Sequence, residues 1–265
     1  KKDYHESIKS FTKAIELNPK HSKAYNSRGI TYDGIEQYER AITDYDKVIE
    51  LDPKFVWAYH NKGIAYHRLK QYAKAIESFD KAIELDEEFA CAYGNRGNAH
   101  RNIGNFERAI SDYNKAIGLE SSYAKAYFNR GIAYQDLKQY EKSIEDFYKS
   151  IAIDSKFERA YQILSEALIL KGAYEDSLKI IEKARSLDSA ANDKAICGYL
   201  ECVAKNLLDQ STTESENSLN ELMELAFKIA WSFNKIESWL KDAQFAEGKK
   251  KFIREKTALL KKRER

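Results

Sequence analysis

The chain has 265 residues, 32% charged and 43% hydrophobic, with only two prolines and a formal charge of +2. That balance suits an all-helical soluble protein and implies no strong bulk field that would draw in polyanions. No run of about 18 apolar residues exists, so no transmembrane helix is expected, and Lys1-Lys2-Asp3 has no apolar run behind it to make a signal peptide.

The first helical segment covers residues 1–18 and ends at Asn18-Pro19, since proline cannot continue a helix. It reads as the second helix of a truncated unit, so the chain is expected to be part of a longer one. Its Tyr4 opens a series with Tyr38, Tyr72, Phe106, Tyr140 and Tyr174, each 34 residues on. The same step carries Ile8, Ile42, Ile76, Ile110, Ile144 and Leu178, and again Phe11, Tyr45, Phe79, Tyr113, Phe147 and Ile181. A period of this size means stacked units that bury their apolar faces on one another.

Full units follow at 22–55, 56–89, 90–123, 124–157 and 158–191. In the second, Ala58, Tyr59, Lys62, Gly63, Tyr66 and Leu69 lie at helical spacing, then Tyr72, Ala75, Ile76, Phe79, Ala82 and Ile83 do, with the break at Lys70-Gln71. Small residues stand in register: Gly29, Gly63, Gly97 and Gly131 in the first helix, and Ala41, Ala75 and Ala109 in the second. A mid-helix glycine costs about 1 kcal/mol against alanine, so four in register point to close helix crossings. Two slots 16 residues apart change together: Arg28 with Asp44, Lys62 with Ser78, Arg96 with Asp112, Arg130 with Asp146, and Leu164 with Ile180. This covariation predicts a contact between the two helices of a unit, bidentate where arginine faces aspartate. A ladder of Lys13, Lys47, Lys81, Lys115, Lys149 and Lys183 could line a nucleic-acid track, but Glu16, Glu50 and Glu84 three residues on favour a solvated outer face.

The phrase Tyr25, Arg28, Gly29, Tyr32, Ala41, Tyr45 and Pro53, repeated with small changes, resembles the tetratricopeptide repeat. The likeness covers about residues 1–190, and the fifth full unit departs from it with Ser165 for glycine, Leu168 for tyrosine and Ser177 for alanine. The resemblance implies an all-α, right-handed superhelical solenoid of antiparallel helix pairs, built from the partial repeat 1–18, five full repeats over 22–191 and an extra helix 192–208.

Beyond the repeats, residues 209–218 read as a polar loop. Residues 219–247 read as a long helix, with Leu219, Leu222, Ala226, Ile229, Phe233, Ile236, Leu240 and Ala243 in heptad steps. That helix either caps the solenoid, covering Ile163, Ile169 and Leu170, or dimerises as a coiled coil through 219–243; capping is the favoured expectation. The basic tail 248–265 carries nine Lys/Arg against Glu255 and Glu264. It is the one segment through which nucleic acid or an anionic membrane would be engaged.

No catalytic constellation stands out. Cys91, Cys197 and Cys202 are too sparse for a zinc site and fit a reducing, cytoplasmic setting. His100 takes the slot of Tyr32, Tyr66 and Tyr134 and is expected to pack; His60 and His67 lack further metal ligands. No cofactor, metal or small-molecule substrate is expected.

The resemblance places the unpacked face of each first helix in a concave groove. The groove residues expected to bind are Asn26, Trp57, His60, Asn61, Ile64, Asn95, Asn98, Arg101, Lys125, Phe128, Asn129 and Ile132. Asn61, Asn95 and Asn129 occupy one slot, and an amide offers donor and acceptor to a peptide backbone whatever its side chains. Trp57 and Phe128 would anchor apolar side chains. The family's clamp for acidic chaperone tails is not implied: Asn95 and Lys125 fit it, but His60, Ile64 and Asn129 stand where lysine, asparagine and arginine are needed. The expected function is a non-catalytic scaffold that binds a protein or peptide in the groove. The alternatives are an adaptor acting through the basic tail, or the regulatory domain of a larger enzyme.

Overall fold

The computed structural model describes residues 4–187 together with 197, 198, 200, 201, 203–205, 208, 253 and 254. Eleven helices run through 4–187: α1 (Tyr4–Leu17), α2 (Ser22–Gly34), α3 (Tyr38–Leu51), α4 (Val56–Arg68), α5 (Tyr72–Leu85), α6 (Ala90–Asn102), α7 (Phe106–Leu119), α8 (Ala124–Asp136), α9 (Tyr140–Ile153), α10 (Glu158–Lys171) and α11 (Tyr174–Ser186). No strand occurs among the described residues. The chain divides into two compact units, Lys1–Ala133 and Tyr134–Arg265.

In the first unit each helix from α1 to α7 packs on the next, and the first helices α2, α4 and α6 also touch in order. The pairs α2/α3, α4/α5 and α6/α7 are antiparallel hairpins. Their second helices carry the apolar stripe: Ala41, Ile42, Tyr45 and Val48 are buried on α3 at helical steps.

Two backbone devices repeat with the sequence. Inside each hairpin the chain turns through one left-handed residue, at Glu36, Lys70, Gly104, Lys138 and Gly172. The following N–H reaches back five residues, as from Gln37 to the Tyr32 carbonyl at 2.9 Å and from Asn105 to the His100 carbonyl at 2.9 Å. This is a Schellman closure of the first helix. Between hairpins, Asn18, Asp52 and Asp86 each accept a hydrogen bond from the backbone N–H two residues on, at 3.1, 3.2 and 3.0 Å, an Asx turn that aims the chain into the next helix.

The glycines mark the crossings, as their register predicts. A Cβ added to Gly29 would lie 2.7 Å from the Tyr45 ring, one on Gly63 2.6 Å from Phe79, and one on Gly97 2.8 Å from Tyr113. Those three rings are fully buried. The first helices α2, α4 and α6 therefore each rest their backbone on an aromatic ring of the second helix.

Two of the covarying pairs meet as expected, and Lys62 with Ser78 does not. Arg28 donates from Nε and Nη2 to Asp44 at 2.8 and 2.7 Å, and Arg96 donates likewise to Asp112 at 3.0 and 2.6 Å. Each cation also reaches 16 residues backward, to the preceding hairpin. Arg28 donates to Thr12, Lys62 pairs with Asp46, Arg96 with Asp80, and Arg130 donates to Asn114, at 3.0, 2.6, 2.7 and 2.6 Å. Lys62 is thus satisfied from behind, and Ser78 instead bonds the Lys74 carbonyl of its own helix at 2.8 Å. On the outer ladder Lys47 pairs with Glu50 and Lys81 with Glu84, as expected of a solvated face.

In the second unit α9 packs on α10 and α10 on α11. The departures of the fifth repeat compensate one another. Buried Ser165 and Ser177 face each other with hydroxyls 2.8 Å apart, and Ser177 Oγ also donates to the Ser165 carbonyl at 3.1 Å. Leu164 and Ile180 are both buried where the first and third full repeats carry an ion pair. On α10, Ile169 and Leu170 are buried and Ile163 half-buried. Cys197, Leu200, Val203 and Ala204 are helical and buried, and Glu201 between them pairs with Arg185 and Lys205. The loop 209–218 and the helix expected at 219–247 lie outside the described residues. Of the tail, Ile253 and Arg254 are described; both are helical and Ile253 is buried.

Candidate functional site

The expected groove residues all come from the first helices α2, α4, α6 and α8, and all fall within the first unit. They sit there because each second helix spends its apolar stripe on the hairpin core, leaving the first helix a free face. Trp57 is 53% exposed, packed edge-on against Phe89 with centroids 4.7 Å apart. Lys125 is exposed, while Asn26, Asn61, Ile64, Asn95, Asn98, Arg101, Asn129 and Ile132 are half-buried. His60 and Phe128 are each 5% exposed, so they form the floor of the face rather than its edge.

The polar side chains are joined sideways, repeat to repeat, at a step of 35 residues. Asn61 donates to Asn26 Oδ1 at 3.5 Å, a long contact. Asn95 Nδ2 lies 3.0 Å from His60 Nε2, and Asn102 Nδ2 lies 2.8 Å from His67 Nε2. Burial pushes the His60 imidazole down to about 4, so it is neutral at pH 7 and its Nε2 can take the Asn95 amide hydrogen. Asn129 falls where this lateral step would reach Gly94, which has no side chain to receive it.

At the centre of the face Ile64, His67, Arg68, Phe79, Asn95 and Asn98 line a pocket of about 270 Å³. Arg68 and Phe79, which also line this pocket, were not among the residues expected there. Arg68 stands one position beyond His67, the α4 counterpart of Arg101, and its own counterpart Asn102 takes part in the 35-residue bonding step, the signal that could have found it. Phe79 belongs to the core by pattern and reaches the pocket because Gly63 lets its ring come through. Asn98 accepts the Tyr113 hydroxyl at 2.7 Å, so one pocket wall is braced by the core.

Asp33 lies beside this face. Its Oδ2 accepts the Tyr45 hydroxyl at 2.8 Å, and its Oδ1 is buried with no hydrogen-bond partner among the described residues. Burial raises this carboxyl from 3.8 to about 6, against the opposing effects of the Tyr45 hydrogen bond and the Arg68 charge. The native state therefore holds a proton on Asp33 that the unfolded chain releases. The stabilisation is complete below about 4 and is lost as pH rises through about 6. Asp33→Asn keeps the acceptor for Tyr45 and removes the titration. Its melting temperature relative to wild type is expected to be higher at pH 7 than at pH 4, and a difference unchanged between those pH values would contradict the assignment.

Models of the tetratricopeptide repeat match residues 10–43, 56–89 and 124–157, and a further TPR-repeat model matches 35–70 and 97–138. The chain belongs to the tetratricopeptide-repeat family. Among solved structures, a MamA protein is 32% identical, with a TM-score of 0.55 over 62% of this chain and 90% of that one. YrrB, described as a TPR protein with an unusual peptide-binding site, is 23% identical with a TM-score of 0.54, over 68% of this chain and 93% of its own. PilF of Pseudomonas aeruginosa is 16% identical with a TM-score of 0.66, over 77% and 89%; these last two share the fold. No curated protein matches the chain at a significant level. A tetratricopeptide-repeat fold of this kind is a protein–protein interaction scaffold. No helix among the described residues is long and apolar enough to cross a membrane.

Proposed function

We propose that the first unit binds an extended segment of a partner protein along α2, α4, α6 and α8, without catalysis. The observation that carries this is the row of half-buried amides at Asn61, Asn95 and Asn129 beside an exposed Trp57. An asparagine side chain has two donor hydrogens and a carbonyl acceptor. The lateral bond takes one donor from Asn61 and one from Asn95, leaving a donor and an acceptor at each for a peptide backbone. Trp57 supplies a rigid apolar anchor already held by Phe89, so little conformational entropy is lost when a side chain packs on it. Arg68 in the pocket lining and exposed Lys125 favour acidic side chains in the ligand.

The test uses a peptide selected from a random library for binding to the intact chain. Replacing Asn61, Asn95 and Asn129 together with alanine is expected to abolish binding while helicity stays unchanged and melting falls by only a few degrees. Trp57→Ala alone is expected to weaken binding by about 30-fold, as for an aromatic hot spot. Undiminished binding by the triple variant would refute the groove.

A further inference from the structure

One slot in the first unit departs from its siblings in a way the interaction groove does not use. In three repeats the eleventh residue of the unit is a tyrosine, Tyr32, Tyr66 or Tyr134, and a cation eight residues on lies over its ring. The Arg40 guanidinium stands 4.1 Å from the Tyr32 centroid and donates to the Tyr32 hydroxyl at 2.6 Å. Lys74 lies 5.4 Å from the Tyr66 ring, and in the second unit Lys142 lies 5.4 Å from the Tyr134 ring. The third repeat keeps the cation, Arg108, but puts His100 where the phenol belongs.

The smaller ring leaves a hollow. A surface hollow of about 320 Å³ is lined by His100 and Arg108, with Ile76 as its apolar residue and Asp80, Arg96, Ser111 and Asp112 completing the lining. The hollow opens to solvent, and its volume is large enough to seat a phenol ring against Ile76. His100 is 7% exposed, and its Nδ1 is buried with no hydrogen-bond partner among the described residues.

The charges select the ligand. Arg96 is bonded to both Asp112 and Asp80, so it offers little to an incoming anion. Two carboxylates, Asp80 and Asp112, against two guanidiniums, Arg96 and Arg108, leave the lining neutral. A carboxylate or phosphate would meet Asp80 and Asp112, whereas an aromatic ring would lie on Ile76 under Arg108.

We propose that this cavity is a site for a phenolic ring, held under Arg108 in the manner of Tyr32 under Arg40, with the phenol oxygen accepting from the guanidinium. It shares no lining residue with the groove pocket and stands whether or not the groove binds peptide.

The experiment follows NMR signals of the Ile76 methyl and the Arg108 Nε–H in the full chain during titration with p-cresol, benzoate and a blocked Gly-Tyr-Gly peptide. Saturable shifts with p-cresol are expected, with benzoate weaker. Tripeptide binding equal to that of p-cresol supports the site with a tyrosine side chain as its ligand, and binding of p-cresol alone supports it with a free phenol. His100→Tyr restores the residue its siblings carry, and is expected to raise the melting temperature and abolish the saturable shifts. Arg108→Ala is expected to weaken p-cresol about tenfold. Equal shifts in wild type and His100→Tyr, tighter binding of benzoate, or no saturable shift at all would overturn the proposal.

Discussion

Phe79→Ala is expected to destabilise the first unit by about 3–5 kcal/mol, the usual cost of emptying an aromatic from a core. Phe79 is fully buried and its ring carries the backbone of α4 at Gly63. The same contact forbids a side chain from the other direction. Gly63→Ala would bring a methyl to 2.6 Å from the ring, and overpacking of that kind costs about 1–3 kcal/mol. Alanine regains about 1 kcal/mol of helix propensity, so the single variant is expected to lose up to about 2 kcal/mol. In the Phe79→Ala background the clash is gone, and Gly63→Ala should become neutral or stabilising. Urea denaturation of the four proteins measures the coupling, which should exceed about 1 kcal/mol. Additive losses would mean that the helices do not cross on this ring.

The second large effect is at Arg96. Its guanidinium is held charged, mainly by the paired hydrogen bonds to Asp112 and further by Asp80. Asp112 is 6% exposed. Arg96→Leu strands that carboxylate, and breaking a buried pair from one side costs about 3–5 kcal/mol. Asp80 is 43% exposed on its side chain and falls back on water. Adding Asp112→Ile should recover most of the loss, because apolar residues of similar volume commonly replace a buried pair without penalty. The chain itself contains that exchange: Leu164 and Ile180 occupy the same two slots in the fifth repeat, both buried. Thermal melts of wild type, Arg96→Leu and the double variant decide the matter, and a double variant less stable than the single would contradict the pairing.

The internal copies explain what could be read from the sequence. Arg28 with Asp44 and Arg96 with Asp112 covary, so their contacts were legible, and the glycine register announced the close helix crossings but not the aromatic rings on which α2, α4 and α6 rest. The backward contacts of the same cations were not, because their slot holds Thr12, Asp46, Asp80 and Asn114, a mixture that shows no single partner type. Nor were the left-handed turn residues, since Glu36, Lys70 and Lys138 carry no glycine to mark them and the closure is fixed by backbone hydrogen bonds. In the groove, periodicity placed every side chain on the right helix but not at the right depth. His60 is sunk by Trp57 of its own helix together with Phe79 of α5 and Phe89 ahead of α6, and the last two reach it only after packing. The lateral amide bonds escaped for the same reason, as their step of 35 residues joins slots that hold different residue types in each copy.

The central claim is that a partner segment lies along the amide row of the first helices. The most direct measurement records the side-chain amide NMR signals of Asn61, Asn95 and Asn129, with the Trp57 indole N–H, while a selected peptide is added. All four signals should shift and saturate together at the affinity measured independently, with the outer-face signals around Lys47 and Lys81 unmoved. Saturable shifts confined to the outer face, with the amide row unchanged, would contradict it.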